Sequence, residues 1–201
     1  MKRALRHQTI VGLCLVASAA LAGCGSDAKT TSPPTSSETG ECGSAGDAVV
    51  PTTEEGIVAG AQVFTGMSNN HVAGCVKYLQ EPPVGGNHSG QWQACNYYDT
   101  PITTERGVHS MEHGAVWITF SPSIDAADRD KLRSLASNEY VLISQWGGTL
   151  PSSVVASAWG VQLRLTGVAD PKLQQFVDAY ANGAQTPEPG APCRDGGLTD
   201  A

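Results

Sequence analysis

The side chains best able to do chemistry are gathered in one stretch of this chain. His71, His88, His109 and His113 fall within 43 consecutive positions, and no histidine occurs in the 88 residues that follow. Met67 and Met111 lie in or beside the same window. Neutral imidazole is the commonest metal ligand, and thioether sulfur adds a preference for soft ions such as Cu(I). The densest part reads Gly107-Val108-His109-Ser110-Met111-Glu112-His113-Gly114. Residues four apart share a face on a helix and also on a strand, so His109 and His113 point the same way in either case. Met111 joins them only on a strand. The β-prone run that follows favours the strand, with a His-Met-His row at its mouth. Ala115 and Trp117 then continue the histidine face, while Val116, Ile118 and Phe120 face the core. The expected ligands are His109 and His113, with His88 third and Met111 or His71 completing the set. Glu112 is expected behind them, orienting an imidazole N–H.

Rival chemistries fit less well. The letters HSMEH match the H-x-x-E-H of inverzincin proteases, which needs a helix carrying two zinc-binding His and a Glu base. Glycines flank the motif here and a strand follows, so the match reads as coincidence. Ser110 lacks a G-x-S-x-G elbow. A metal-dependent enzyme remains a third class, needing an open coordination position and a poised base such as Glu112. The metal-free alternative is an interaction or scaffold protein in which the same segment is a polar turn hydrogen-bonded to the loop PPVGGNH.

These residues must be held by a small α+β domain. Residues 57–65 and 71–78 read as strands, 81–90 as a Pro/Gly loop carrying His88, and 91–106 as irregular chain. Ala115–Phe120 is a strand bounded by Ser121-Pro122. Ser123 or Asp125 caps a helix running to about residue 136. Residues 140–146 form the next strand, 154–165 another with a break at Gly160, and Asp170-Pro171 opens a helix to about 181. The second half is therefore β-α-β-β-α, which predicts one domain with an antiparallel or mixed sheet and two helices.

The flanks place this domain outside the cytoplasm. Lys2, Arg3 and Arg6 precede an apolar run, Ile10 to Leu21, too short to span a bilayer. It ends in Leu21-Ala22-Gly23-Cys24, which resembles a bacterial lipobox, with cleavage before Cys24 and acylation of its sulfur. The expected organisation is a signal peptide over 1–23, a Ser/Thr/Pro/Gly linker over 24–56, a globular domain over 57–193 and a tail over 194–201. The acyl chains on Cys24 would anchor the protein to a membrane in the cell envelope, where an envelope protein is the expected partner. Removing the leader leaves 9 bases against 19 acids, a net −10 that disfavours nucleic acid. Four cysteines remain: Cys42, Cys75, Cys95 and Cys193. None is in C-x-x-C spacing, and an even count outside the cytoplasm favours two disulfides over a metal thiolate, with three pairings open. The favoured pairing is Cys95–Cys193, pinning the Pro-rich tail, with Cys42–Cys75 pinning the end of the linker.

The segments PPVGGNH (82–88), WQAC (92–95), VHSMEHGAVWITF (108–120), SAWG (157–160) and TPEPGAPC (186–193) together resemble the family filed as domain of unknown function 3105. The resemblance covers roughly residues 56 to 193. It implies a secreted or lipid-anchored bacterial envelope domain without an assigned activity. It implies that His88, His109, Glu112 and His113 belong to the family motif, and it suggests Cys95 and Cys193 as a pair. The chain departs from the pattern at Met111, where relatives often carry Leu, and at Asn96-Tyr97-Tyr98, where a Gly is expected. The reading that results is an envelope lipoprotein that binds an ion, copper in preference to zinc, to store, buffer or hand it on.

Overall fold

The computed structural model describes residues 42–44 and 49–201. The leader, Cys24 and most of the linker lie outside the described residues. Two short strands, β1 (Gly43–Ser44) and β4 (Val76–Lys77), pair in parallel beside a disulfide between Cys42 and Cys75. The remaining strands form one mixed sheet of seven in the order β2-β3-β9-β8-β6-β7-β5. They are β2 (Val50–Glu55), β3 (Gln62–Thr65), β5 (Tyr97–Tyr98), β6 (Val116–Phe120), β7 (Val141–Gln145), β8 (Val154–Ala158) and β9 (Val161–Leu165). Three helices complete the fold: α1 (Thr104–Glu112), α2 (Ala126–Leu135) and α3 (Pro171–Tyr180). The α+β architecture expected from the sequence is the one observed. Among the described residues no helix is long and apolar enough to cross a membrane.

The second half follows its local signals. β6 is β-branched and aromatic, and all five of its residues are buried because both faces of the sheet are covered. It pairs in parallel with β7 and antiparallel with β8. Gly160 turns β8 into β9 at φ +72°, so the break expected there within 154–165 is the turn of a hairpin. The Asp125 carboxylate accepts from Asp128 N and caps α2, and Asp170 caps α3 ahead of Pro171. On one face of the sheet, Val116, Ile118 and Phe120 pack with Leu132 of α2 and with Leu173, Phe176 and Val177 of α3. On the other, Trp117 and Leu142 pack with Val108 and Met111 of α1, Tyr98, Trp146, Trp159 and the Cys95–Cys193 bridge.

The first half departs from expectation. Strand structure in 57–65 shrinks to β3, and in 71–78 to β4 plus an isolated bridge between His71 and His88. β2 occupies residues read as linker, pairing antiparallel with β3. It is almost wholly exposed and its Thr and Glu carry no apolar signal, so composition hides it. The sheet therefore begins at Val50, ahead of the expected boundary at 57. Residues 194–201 are also docked. Ala94 N donates to Leu198 O, Leu198 N to Trp92 O, and Arg106 pairs with Asp200.

Candidate metal centre

The motif lies on a helix, which corrects the expected strand. α1 spans nine residues and is closed by Gly114, whose φ of +107° suits glycine. Gly114 N donates to Met111 O and Ala115 N to Ser110 O, the paired bonds of a Schellman stop. Gly107 sits inside the helix rather than before it. A Cβ at this position would come within 2.8 Å of the Trp117 ring, so glycine lets α1 lie directly on the sheet. On a helix, Met111 leaves the histidine face. It packs in the core with Trp117 and Val108, away from the histidines.

α1 is nevertheless polar where it is buried. The Glu105 carboxylate accepts from Val76 N at 2.7 Å, next to the Cys42–Cys75 bridge. Ser110 Oγ accepts from Gln93 N and donates to Gln93 O, which makes it a clamp rather than a nucleophile. Opposite the helix, Val72 N donates to His88 O and His88 N to Asn70 O, setting His71 beside His88. The result is a cluster of four: one ligand atom each from His71, His88, His109 and Glu112, all within 4.8 Å of one another.

The hydrogen bonds decide which ring nitrogens face the cluster. His88 Nδ1 lies 2.8 Å from Gly86 O, His109 Nδ1 2.7 Å from Ser89 O, and His113 Nδ1 2.7 Å from Pro192 O. A carbonyl oxygen only accepts, so each Nδ1 carries a proton and each ring turns its Nε2 to the cluster. An imidazole anchored through Nδ1 to a carbonyl is the usual support of a metal-binding histidine. The rings are thus tied to carbonyls through one nitrogen and converge through the other.

Those Nε2 atoms converge on Glu112 and on one another. His88 Nε2 is 2.8 Å from Glu112 Oε2, and His71 Nε2 is 3.4 Å from the same oxygen. His109 Nε2 is 2.9 Å from His113 Nε2. Burial pushes the His109 imidazole down to about 4, and the charges of His113, His88 and His71 add to this against the favourable Ser89 carbonyl. His109 is therefore neutral at pH 7, with its Nε2 against that of His113. Burial of Glu112 opposes its ionisation. The hydrogen bond and charge of His88, with the charge of His109, outweigh that and hold its carboxyl below the usual range. Glu112 is thus a carboxylate within the ligand set, not a residue behind it. Imidazole nitrogens and a carboxylate at these separations form a group that could hold a cation, a shared proton or a metal ion.

Other sequence-based expectations can be placed. His113 adjoins the cluster through His109 rather than joining it directly. The objection to the H-x-x-E-H match, that no helix was available, falls. What separates this site from that motif is Glu112, engaged by His88 and His71 instead of standing over an open position. Both favoured disulfides are formed, and each pins a segment that touches the site. Two neighbours went unread. The Trp92 ring lies 4.9 Å from that of His113, and Glu188 Oε2 lies 3.5 Å from His113 Nε2. Only the position of Glu188 inside TPEPGAPC, between two prolines and shortly before Cys193, hinted at it.

The family described as "Protein of unknown function (DUF3105)" matches residues 71–195, a span that contains every residue of the cluster. No curated protein and no solved structure matches the chain. The chain belongs to the DUF3105 family.

Proposed function

We propose that this DUF3105 member binds one transition-metal ion, copper(II) or zinc(II), through His71, His88, His109 and Glu112. The observation that carries the reading is the set of imidazoles tied to carbonyls through Nδ1, whose Nε2 atoms converge on Glu112 and on each other. Imidazole nitrogens with one carboxylate are borderline donors that suit Cu(II) and Zn(II). With Met111 withdrawn into the core, the thioether argument for Cu(I) is gone. The domain stands outside the cytoplasm, held to a membrane by acyl chains on Cys24, and holds the ion for an envelope partner. The leader and lipobox support that location, as do two disulfides, which persist in oxidising compartments.

The metal-free alternative draws on one contact: a proton shared between His109 Nε2 and His113 Nε2 across 2.9 Å would make the cluster a closed hydrogen-bond network. Titration with Cu(II), Zn(II) and Cu(I) against competing chelators, on the mature protein with its disulfides formed, separates the two. One tight equivalent, lost in the His88→Ala/His109→Ala variant, is expected. Equally weak binding by both proteins would leave the network structural.

A further inference from the structure

The cluster continues past His109 to a second carboxylate. His109 spends Nδ1 on Ser89 O, so its single free nitrogen faces both the inner group and, 2.9 Å away, His113 Nε2. His113 spends Nδ1 on Pro192 O, and its Nε2 is 3.5 Å from Glu188 Oε2. That separation is long for a hydrogen bond. It is close to the roughly 3 Å expected between neighbouring ligands that each sit about 2.0–2.2 Å from one first-row ion. Glu188 is built onto the end of the helix, since Glu188 N donates to Glu112 O at 3.1 Å and Ala191 N donates to Glu188 O at 3.2 Å. The bridge at Cys193 holds the same segment beside Pro192.

Exposure runs along this file in a definite order. The Glu112 and His88 side chains are 2% and 0% exposed. His113 is 6% exposed and Glu188 53%. The inner set thus meets water at two places, at His71, whose side chain is 52% exposed, and at this end through a carboxylate. An ion held by several buried ligands leaves slowly unless new ligands replace the old ones stepwise.

We infer that His113 and Glu188 form an outer cation position that shares His109 with the inner set, through which the ion is passed to or from an acceptor. This rests on the ion-binding reading above. Each step forms one bond from the ion to nitrogen or oxygen as another breaks, and the ion keeps its charge, so no oxidant or reductant is needed. The acceptor is a protein or chelator whose own donors displace Glu188 first. His109, the only side chain common to both positions, remains bound while the others exchange.

The test compares wild type, Glu188→Gln and Glu188→Ala, each loaded with one equivalent of Zn(II). Equilibrium affinity is read by chelator competition, and the transfer rate to excess chelator by stopped flow. Glu188 is exposed, so both variants are expected to fold, and a melting curve checks this. The expected result is an equilibrium affinity close to wild type with transfer slowed about tenfold, an effect on rate alone. With Cu(II), quenching of Trp92, beside His113, is expected to precede quenching of Trp159, whose ring is 6.0 Å from that of His88. Tight binding with unchanged transfer in both variants would overturn the outer position and leave the inner site standing. Equal losses of affinity and rate would put Glu188 in the resident shell and also overturn it. Failure of wild type to bind any ion tightly would instead sink the ion-binding reading itself.

Discussion

The two faces of the sheet are covered by different means. On one, α2 and α3 lay Leu132, Leu173, Phe176 and Val177 against Val116, Ile118 and Phe120, and the layer is apolar and periodic. On the other, the cover is α1 plus long stretches of irregular chain, and it contains His88, Gln93, Glu105, His109, Ser110, Glu112 and His113, all buried. The first face is held chiefly by apolar packing. The second is held by packing, by side chains bonded to main chain, and by both disulfides. Buried polar groups are tolerable only when their partners are fixed, and fixing them takes cross-links that periodic packing does not require. The difference suggests a division of labour in which one face supplies stability and the other spends some of it on a site.

The largest effect that would test this division comes from removing the Cys95–Cys193 bridge. It closes 98 residues of chain, and the chain-entropy model gives about 4–5 kcal/mol for a loop of that size. A Cys95→Ala/Cys193→Ala variant is expected to lose most of that in urea unfolding. It is also expected to lose ion affinity while still folded, because the bridge shares a core cluster with Val108 and Met111 of α1, the helix that carries His109 and Glu112. Phe176→Ala, on the opposite face, is expected to cost about 3–5 kcal/mol while the folded protein binds its ion as wild type does. Comparable affinity losses in the two variants would show that the faces are not separable.

The same division explains what the sequence disclosed. On the periodic face, β6 is bounded by Ser121-Pro122, α3 is announced by Asp170-Pro171, and the β8–β9 turn is marked by Gly160, so these elements were legible from local chemistry. α1 was not. Its buried surface is polar, so no apolar stripe marks it. Gly107, which reads as a helix breaker, is there because Trp117 leaves no room for a Cβ. The strand assumed instead put Met111 on the histidine face, where a helix turns it into the core. In residues 62–98 the chain is set by side-chain hydrogen bonds and a disulfide, which leave no period to read. His88, His109 and His113 were legible as a group because their type alone is a signal. Glu188 is brought to His113 by a main-chain bond to Glu112 O and by the Cys193 bridge, and no spacing rule links positions 113 and 188.

Gly107→Ala sharpens the comparison, since it perturbs the contact between α1 and the sheet without touching a ligand. A Cβ 2.8 Å from the Trp117 ring must push helix or ring aside, and such overpacking costs about 1–3 kcal/mol. Because α1 carries His109, Glu112 and His113, the shift is expected to weaken ion binding as well. Unchanged affinity with reduced stability would mean that the ligands are positioned by the loops around them rather than by the seat of α1.

Acid gives the smallest and most local effect. In the unfolded chain His109 titrates near 6.5 and in the folded domain at about 4, so between those values the unfolded state holds the extra proton. Stability from this group is complete above 6.5, declines as the pH falls, and is gone near 4. Glu112, with its folded value below the ordinary 4.5, acts in the same direction but only at lower pH, as its carboxylate becomes protonated. The urea midpoint of the ion-free protein is therefore expected to fall between pH 6.5 and 4.5, and His109→Gln is expected to remove that part of the slope. The apolar face contributes nothing here, because no carboxylate or imidazole is among the side chains that form its core. If His109→Gln keeps the wild-type slope, the acid response belongs to groups outside the cluster, and the polar layer is less tightly closed around His109 than its burial indicates.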